Sequence, residues 1–181
     1  MKLRSFTFLS LFALAALAGC SRGARLETPS GFATLEDDSQ NQFSYRATSA
    51  RGVVLATRTQ PNDVKANTEF WADALDLRLK DKGYVAESTR TVKTAKGLSG
   101  TQIRYVTSRN GREHRYWLTV FATKSKVYVV EAAGDKEPFD KAAGTVDSAM
   151  SQGMRRADRF TVGRVAWVGW MRRALRWRAR G

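Results

Sequence analysis

The residue best suited to covalent chemistry is Cys20, the only cysteine among 181 residues. A thiolate is a soft nucleophile that forms thioethers under mild conditions, and a single cysteine cannot form an internal disulfide. Cys20 follows an apolar run over residues 6–18, and Lys2 and Arg4 stand in front of that run. A basic start, an apolar segment and small residues before a cleavage point are typical of a signal peptide.

The residues Leu17, Ala18, Gly19 and Cys20 resemble the lipobox of bacterial lipoproteins. In that family the cysteine sulfur receives a diacylglyceryl group and the chain is cut in front of it, which implies a signal peptide over 1–19 and lipidation at Cys20. Two or more acyl chains hold a protein firmly at a bilayer, whereas the apolar run is shorter than the roughly 20 residues of a spanning helix. The alternative is an incidental cysteine in a plain secretory signal.

The resemblance to lipoproteins also implies a location. It predicts a protein of the bacterial cell envelope that is lipid-anchored and faces the periplasm. Ser21, the residue after the cysteine, favours the outer over the inner membrane, because in Gram-negative lipoproteins a residue other than aspartate there usually goes with outer-membrane sorting.

The C-terminal segment 155–181 is strongly basic, with nine arginines, no lysine and three of the five tryptophans. At helical spacing the tryptophans fall on one side and most arginines on the other. Arginine and tryptophan in that division suit the headgroup layer of an anionic membrane. The candidate membrane contacts are Trp167, Trp170, Arg172, Arg173, Arg176 and Trp177.

Three other interpretations of this tail stay open. Gly163 and Gly169 each cost a helix about 1 kcal/mol relative to alanine, which favours disorder. Nucleic-acid binding fits the charge, but an exported, lipid-anchored protein rarely meets nucleic acid, so none is expected as a partner. Enrichment in Arg, Trp, Gly, Ala and Val without Lys is also typical of a shifted reading frame in GC-rich DNA.

The remaining residues predict no catalytic centre, no metal site and no cofactor. His114 is the only histidine and lies at the start of a strand, where a solvated residue is expected. Ser99 lies in "KGLSG", which lacks the strand-to-helix context of a nucleophile elbow and is interpreted as a tight turn. Glu36, Asp37 and Asp38 lack the alternating spacing of a calcium loop and are interpreted as part of a solvated tether.

A single α+β domain is predicted over residues 43–154, after a tether over 20–42 that lacks periodicity. "FSYR" and "GVVLATRT" predict two strands, and Asn67 is expected to cap a helix ending near Gly83. Four strands follow over 84–93, 101–108, 114–122 and 127–133, with an Asn110-Gly111 hairpin and an antiparallel pair joined by "TKSK". A second helix is expected from Pro138 to Gly153.

This order predicts an antiparallel sheet of about six strands flanked by two helices. Six aromatic residues are assigned to its core, namely Trp71, Tyr105, Tyr116, Trp117, Phe121 and Tyr128. The long helix "NTEFWADALDLRLKDKGY", the loop "KGLSG", the hairpins and "VYVVEAAGDKEPFDKAAGTVDSAM" together resemble the DcrB-like and PsbP-like domains. That resemblance implies an α/β/α sandwich and a binding or assembly role without known catalysis.

The leading hypothesis is therefore a lipid-anchored envelope lipoprotein that acts as a non-catalytic binding or assembly accessory, held at the membrane through Cys20 and engaging an unidentified protein partner. The alternative is a membrane-active protein that uses a cationic amphipathic C-terminal helix, and a hydrolase ranks third. Fold class alone does not decide among them.

Overall fold

The computed structural model describes residues 23–35, 43–152 and 154–155. Cys20, Glu36, Asp37, Asp38 and the tail beyond residue 155 lie outside the described residues. The strands are β1 (Arg25–Leu26), β2 (Phe32–Thr34), β3 (Tyr45–Ser49), β4 (Val54–Pro61), β5 (Val85–Lys93), β6 (Ser99–Arg109), β7 (Arg112–Ala122), β8 (Lys126–Asp135) and β9 (Met154–Arg155). The helices are α1 (Thr68–Lys80) and α2 (Lys136–Gln152).

Seven strands form one antiparallel sheet in the order β2-β3-β4-β8-β7-β6-β5, and β1 pairs with β9 in a separate two-stranded ribbon. The helix α1 packs over β5, β6 and β7, while α2 contacts β5, β7 and β8. The predicted α+β sandwich with two helices is confirmed. The sheet has seven strands rather than about six, because β2 adds an edge strand that the sequence pattern does not reveal.

The predicted turns join the expected strands. Asn110 and Gly111 have φ values of 51° and 73°, and a two-residue turn with both residues in this region matches the right-handed twist of a hairpin. β7 and β8 are antiparallel across "TKSK". Around "KGLSG", Gly97 N donates to Thr94 O (2.8 Å) and Thr94 N to Leu98 O (3.0 Å), so this stretch is a tight turn as predicted.

The helix α1 is capped by Asn67, whose side-chain oxygen accepts a hydrogen bond from Phe70 N (2.9 Å). Glu69 in the first turn and Arg78 in the last complement the helix dipole. The helix α2 begins at Lys136, two residues before the predicted start at Pro138, and directly continues β8. Its buried Phe139 and Val146 face the sheet.

Each face of the sheet carries its own apolar core, since alternate residues of a strand point to opposite faces. The core under α2 includes Leu55, Trp117, Phe121, Val130, Phe139 and Met150. The core under α1 includes Ala72, Ile103, Tyr105, Leu118, Val120 and Val129.

Residues 23–35, which the sequence pattern assigns to the tether, belong to the folded domain. Ala24 is 1% exposed and Leu26 5% exposed in the core under α2. Thr57 Oγ1 donates to Ala24 O (2.6 Å), and Tyr45 OH donates to Thr28 Oγ1 (2.9 Å). The domain boundary predicted at residue 43 is therefore too late. The physical reason is that these residues cover the part of β3 and β4 that α2 does not reach.

The opposite face of β4 and β8 is only partly covered within the described residues, since Ala56, Val127 and Val129 are buried whereas Val54 and Ala133 are partly exposed. A helix is about 10 Å wide and neighbouring strands are about 4.8 Å apart, so one helix covers only two or three strands. Because α1 packs over β5, β6 and β7, the side chains of β4 and β8 on that face line an open groove.

Candidate functional site

A groove of about 930 Å³ lies between α1 and the uncovered strands β4 and β8. This volume is near the upper end of the roughly 300–1,000 Å³ of small-molecule sites. Its floor is mainly apolar and includes Val54, Ala56, Leu118, Val129 and Ala133. Ala56, Leu118 and Val129 are themselves buried, so the apolar floor surface open to a ligand is that of the partly exposed Val54 and Ala133.

The wall of the groove is one stripe of α1. Trp71, Ala74, Leu75, Arg78 and Leu79 recur at the spacing of neighbouring turns, and Lys82 follows just beyond the helix. Two residues of this stripe, Leu75 and Leu79, also pack against the apolar core under α1. The position of the wall is thus set by the packing that fixes α1 on the sheet.

Strand register shows how the groove is oriented. The N-terminus of α1 is joined to the Pro61 end of β4 by residues 62–67. Its C-terminus leads into Val85, which pairs with Val106, and that row continues through β7 to Gly134 of β8. Gly134 lies next to the Val54–Ala133 row. The groove therefore runs along α1 from Asp63 and Trp71 at one end to Arg78 and Lys82 at the other.

A buried carboxylate lies in the floor. The Glu131 side chain is 11% exposed, and Arg58 Nε donates to its Oε2 (2.9 Å) while Arg58 Nη2 donates to its Oε1 (2.5 Å). Tyr116 OH also donates to Oε1 (2.5 Å). The Arg58 guanidinium lies 5.1 Å from the centre of the Phe43 ring, a cation–π distance. The adjacent Arg58 guanidinium thus neutralises the negative charge of Glu131.

The same contacts shift the ionisation of their partners. Burial and the neighbouring Glu131 carboxylate raise the pKa of Tyr116 far above its ordinary value. Burial alone would lower the pKa of Arg58, but the hydrogen bond and charge of Glu131 outweigh it and raise that pKa. At neutral pH the floor therefore holds a neutral phenol and a permanently charged guanidinium.

A second tyrosine on this side of the sheet is held in the same way. Tyr105 OH donates to Asp76 Oδ1 on α1 (2.9 Å), and Asp76 also pairs with Lys80 (2.6 Å). Burial and the Asp76 carboxylate raise the pKa of Tyr105. Burial likewise raises the pKa of Tyr45 on the opposite face.

We expect Tyr105 and Tyr116, two of five tyrosines in the chain, to stay protonated at about pH 11 until the protein unfolds, because burial and a neighbouring carboxylate raise both pKa values far above the ordinary value of about 10. Their contribution to stability is complete below about pH 10 and is lost as the pH rises further. An alkaline titration followed by phenolate absorbance should show an abrupt rise at unfolding. Tyr116→Phe should reduce that rise by one tyrosine, and an unchanged rise would contradict the assignment.

The geometry suits binding better than proton transfer. Both Glu131 oxygens already accept hydrogen bonds, and Tyr116 holds its proton too tightly to release it near neutral pH. A general base needs a free lone pair and a pKa near the working pH. What the groove offers instead is apolar surface with charges at its ends.

The described residues that line this groove include none of those predicted from the sequence to form a site. Cys20 and the six tail residues, from Trp167 to Trp177, are outside the described residues. His114 Nδ1 lies 3.0 Å from Asp135 Oδ1, at the end of the β7–β8 pair that lies just beyond the groove residues Tyr116 and Ala133. In the described ranges no cluster of His, Cys, Asp or Glu side chains has the arrangement of a metal site. Neither described helix has the length and apolarity needed to cross a bilayer.

A second charged cluster joins α2 to the sheet. Arg90 and Arg104 both donate to Asp147 of α2, and the Arg104 guanidinium lies 3.9 Å from the centre of the Trp117 ring. Gln102 Oε1 accepts from both arginines at 3.0 Å. Each charge is partnered inside the fold, so this cluster is structural.

Sequence patterns missed the groove residues Arg58, Tyr116 and Glu131. One signal was available: Glu131 is the lone charge inside "VYVVEAA", and a charge in the middle of an apolar strand must be paired. Two residues assigned to the core, Trp71 and Tyr116, are only partly buried and line the groove. The other four core aromatics, among them Tyr105 and Phe121, are buried as predicted.

Two solved structures have a fold similar to that of this chain. LpqN of Mycobacterium tuberculosis, described as involved in cell envelope biogenesis, is 14% identical with a TM-score of 0.50, covering 71% of this chain and 79% of its own. The cyanobacterial PsbP (CyanoP) of Synechocystis sp. PCC 6803 is 10% identical with a TM-score of 0.52, covering 76% and 88%. The fold is PsbP-like.

The likeness at this level of identity concerns the fold only. No protein-family model matches the sequence, and no curated protein sequence matches it. The PsbP-like part of the sequence-based resemblance is confirmed, while the lipobox and the DcrB-like resemblance stay predictions. Function must be argued from the groove itself.

Proposed function

We propose that this protein is a lipid-anchored, non-catalytic binding accessory of the bacterial cell envelope, and that its PsbP-like domain holds an elongated apolar ligand in the groove. The observation that carries the proposal is the groove beside α1, where the apolar side chains of Val54, Ala133 and Trp71 stay partly exposed. LpqN, which shares the fold, is described as involved in cell envelope biogenesis, and this supports an envelope role.

The apolar floor supplies the affinity. Val54 and Ala133 are only partly buried, whereas the equivalent positions on the other face are sealed by α2 and by Ala24 and Leu26. Each square ångström of apolar surface removed from water contributes about 25 cal/mol. A ligand lying along the floor would therefore gain binding energy without any change of fold.

The charges in the floor are neutralised before a ligand binds. An unpaired carboxylate under an apolar ligand would lose its hydration at a cost of several kcal/mol. Because Arg58 and Tyr116 satisfy Glu131 before any ligand arrives, the groove can close over an apolar chain without that cost. This preorganisation favours binding over catalysis.

Filling the groove tests the proposal. The full chain, released from membranes and analysed by native mass spectrometry, should carry a bound small molecule above the mass of the lipidated chain. Ala74→Trp projects an indole from the α1 wall into the groove and should remove that mass. Ser88→Trp, on exposed β5, is the matched control and should retain it. The same bound mass in excess of the lipidated chain in both the wild-type protein and Ala74→Trp would contradict the proposal.

The lipid anchor has a separate test. Cells grown with labelled palmitate should incorporate label into the wild-type chain and not into Cys20→Ser, because the serine hydroxyl is a far weaker nucleophile than a thiolate. The measurement is label in the purified protein, with total protein as the control. Label retained by the serine variant would show that Cys20 is not the acceptor.

A membrane-active role of the tail is the competing function. It predicts that vesicle leakage depends on Trp167, Trp170, Arg172, Arg173, Arg176 and Trp177 and is indifferent to Ala74→Trp. The binding accessory has the opposite dependence. The localisation in the outer rather than the inner membrane rests on Ser21 and belongs to the same proposal.

A further inference from the structure

The groove is electrically asymmetric along its length. Arg78 and Lys82 lie on the same side of α1 at one end, both exposed, and neither has an ion-pair partner in residues 43–152. Asp63 lies at the other end. Among the described residues, the charges that line the groove between these two ends are Arg58 and Glu131, which neutralise each other.

Helix-dipole compensation does not account for both cations. A basic side chain near a helix C-terminus is favourable by itself, and Lys80 already supplies one there, paired with Asp76 at 2.6 Å. Arg78, in the last turn of α1, and Lys82, just beyond the helix, both line this end of the groove. Their unpaired charges face the end of an apolar groove.

From this arrangement we infer, building on the proposed function of the groove, that its ligand is a single-chain amphiphile with an anionic head. The carboxylate or phosphate head binds Arg78 and Lys82. The acyl chain lies over Val54 and Ala133 and runs toward Trp71. An acidic head at the Trp71 end would face Asp63 instead, so the charges select one direction of insertion.

The dimensions agree with an acyl chain. The helix α1 has 13 residues and is therefore roughly 20 Å long, so the groove beside it accommodates a narrow, extended ligand. Every methylene that reaches the floor should strengthen binding by up to roughly fourfold. Binding should therefore rise from octanoate to laurate to palmitate.

Photo-crosslinking tests the head group. The full chain is placed in nanodiscs of neutral phosphatidylcholine and exposed to a diazirine-bearing laurate, to a lysophosphatidate with the same chain, and to the corresponding uncharged alcohol. We expect both anionic probes to label peptides containing residues 54–58 and 74–79. Arg78→Gln with Lys82→Gln should lower that labelling about tenfold at sub-saturating probe, since each exposed ion pair contributes modestly. The uncharged alcohol should label the groove weakly, and to the same extent in the wild-type protein and in the double glutamine variant.

The matched control is Lys93→Gln with Lys124→Gln, which removes the same net charge from exposed positions outside the groove, and it should leave labelling unchanged. Arg78→Lys with Lys82→Arg should retain it. A preference between laurate and lysophosphatidate identifies the head as carboxylate or phosphate. Groove labelling that is equal for the alcohol and the anionic probes overturns the anionic head while leaving an apolar ligand in place. Absence of groove labelling by all three probes overturns the amphiphile as well.

Discussion

Replacing Arg58 by methionine is expected to lower the free energy of unfolding by about 3 kcal/mol. The substitution keeps the apolar stem and removes the guanidinium, so Glu131 loses two of its three hydrogen-bond donors and retains only Tyr116. Removing one partner of a buried pair leaves an uncompensated charge and costs about 3–5 kcal/mol. The lower end applies because Arg58 itself is 45% exposed. Urea denaturation of the full chain followed by far-ultraviolet circular dichroism measures the loss.

The double variant decides whether the pair or the packing is responsible. Glu131→Met alone should cost only about 1 kcal/mol, because the freed Arg58 is exposed enough to be hydrated. Arg58→Met combined with Glu131→Met should recover most of the stability, since two apolar side chains next to Ala56 and Leu118 leave no buried charge. Additive losses in the double variant would show that the ion pair is not the source of the effect.

The order of helices and strands is predictable because each is marked locally. Asn67 caps a helix with a clear apolar stripe, and Asn110-Gly111 specifies a hairpin. The strand β2 carries no such mark: three residues, Phe32–Thr34, depend for their conformation on pairing with β3. Long-range pairing of this kind overrides local pattern, which is why residues 23–35 resemble a tether in sequence.

The groove is harder to predict because it depends on where α1 lies relative to β4 and β8. Strands buried on both faces have apolar residues at nearly every position, so "VYVVEAA" does not reveal which face of β8 stays open. Glu131 and Arg58 are far apart in sequence and meet only because β4 pairs with β8. A lone charge in an apolar strand predicts that a partner exists, but the partner is identified by the sheet order alone.

Asn62→Ala is the second change with a large expected effect, because Asn62 ties three parts of the chain together. It is 2% exposed, and its Nδ2 donates to Ala66 O (2.8 Å) and Thr123 O (2.7 Å). Its Oδ1 accepts from Ala66 N (3.1 Å) and Trp71 Nε1 (3.0 Å). One side chain therefore holds together the turn before α1, the β7–β8 connection and the first turn of α1, which carries Trp71.

Alanine at position 62 would leave these four hydrogen-bonding groups without a partner. Each of them costs about 1–3 kcal/mol of stability if it stays buried and unpaired. Partial access to water at Ala66 and Trp71, both only partly buried, limits the total to about 3 kcal/mol, or roughly 10 °C in Tm. The matched control, Asn67→Ala, removes a single exposed capping bond and should cost about 1 kcal/mol. If the two alanine variants lost equal stability, the Asn62 side chain would not be holding α1 to the sheet. The Trp71 wall of the groove would then owe its position to apolar packing alone.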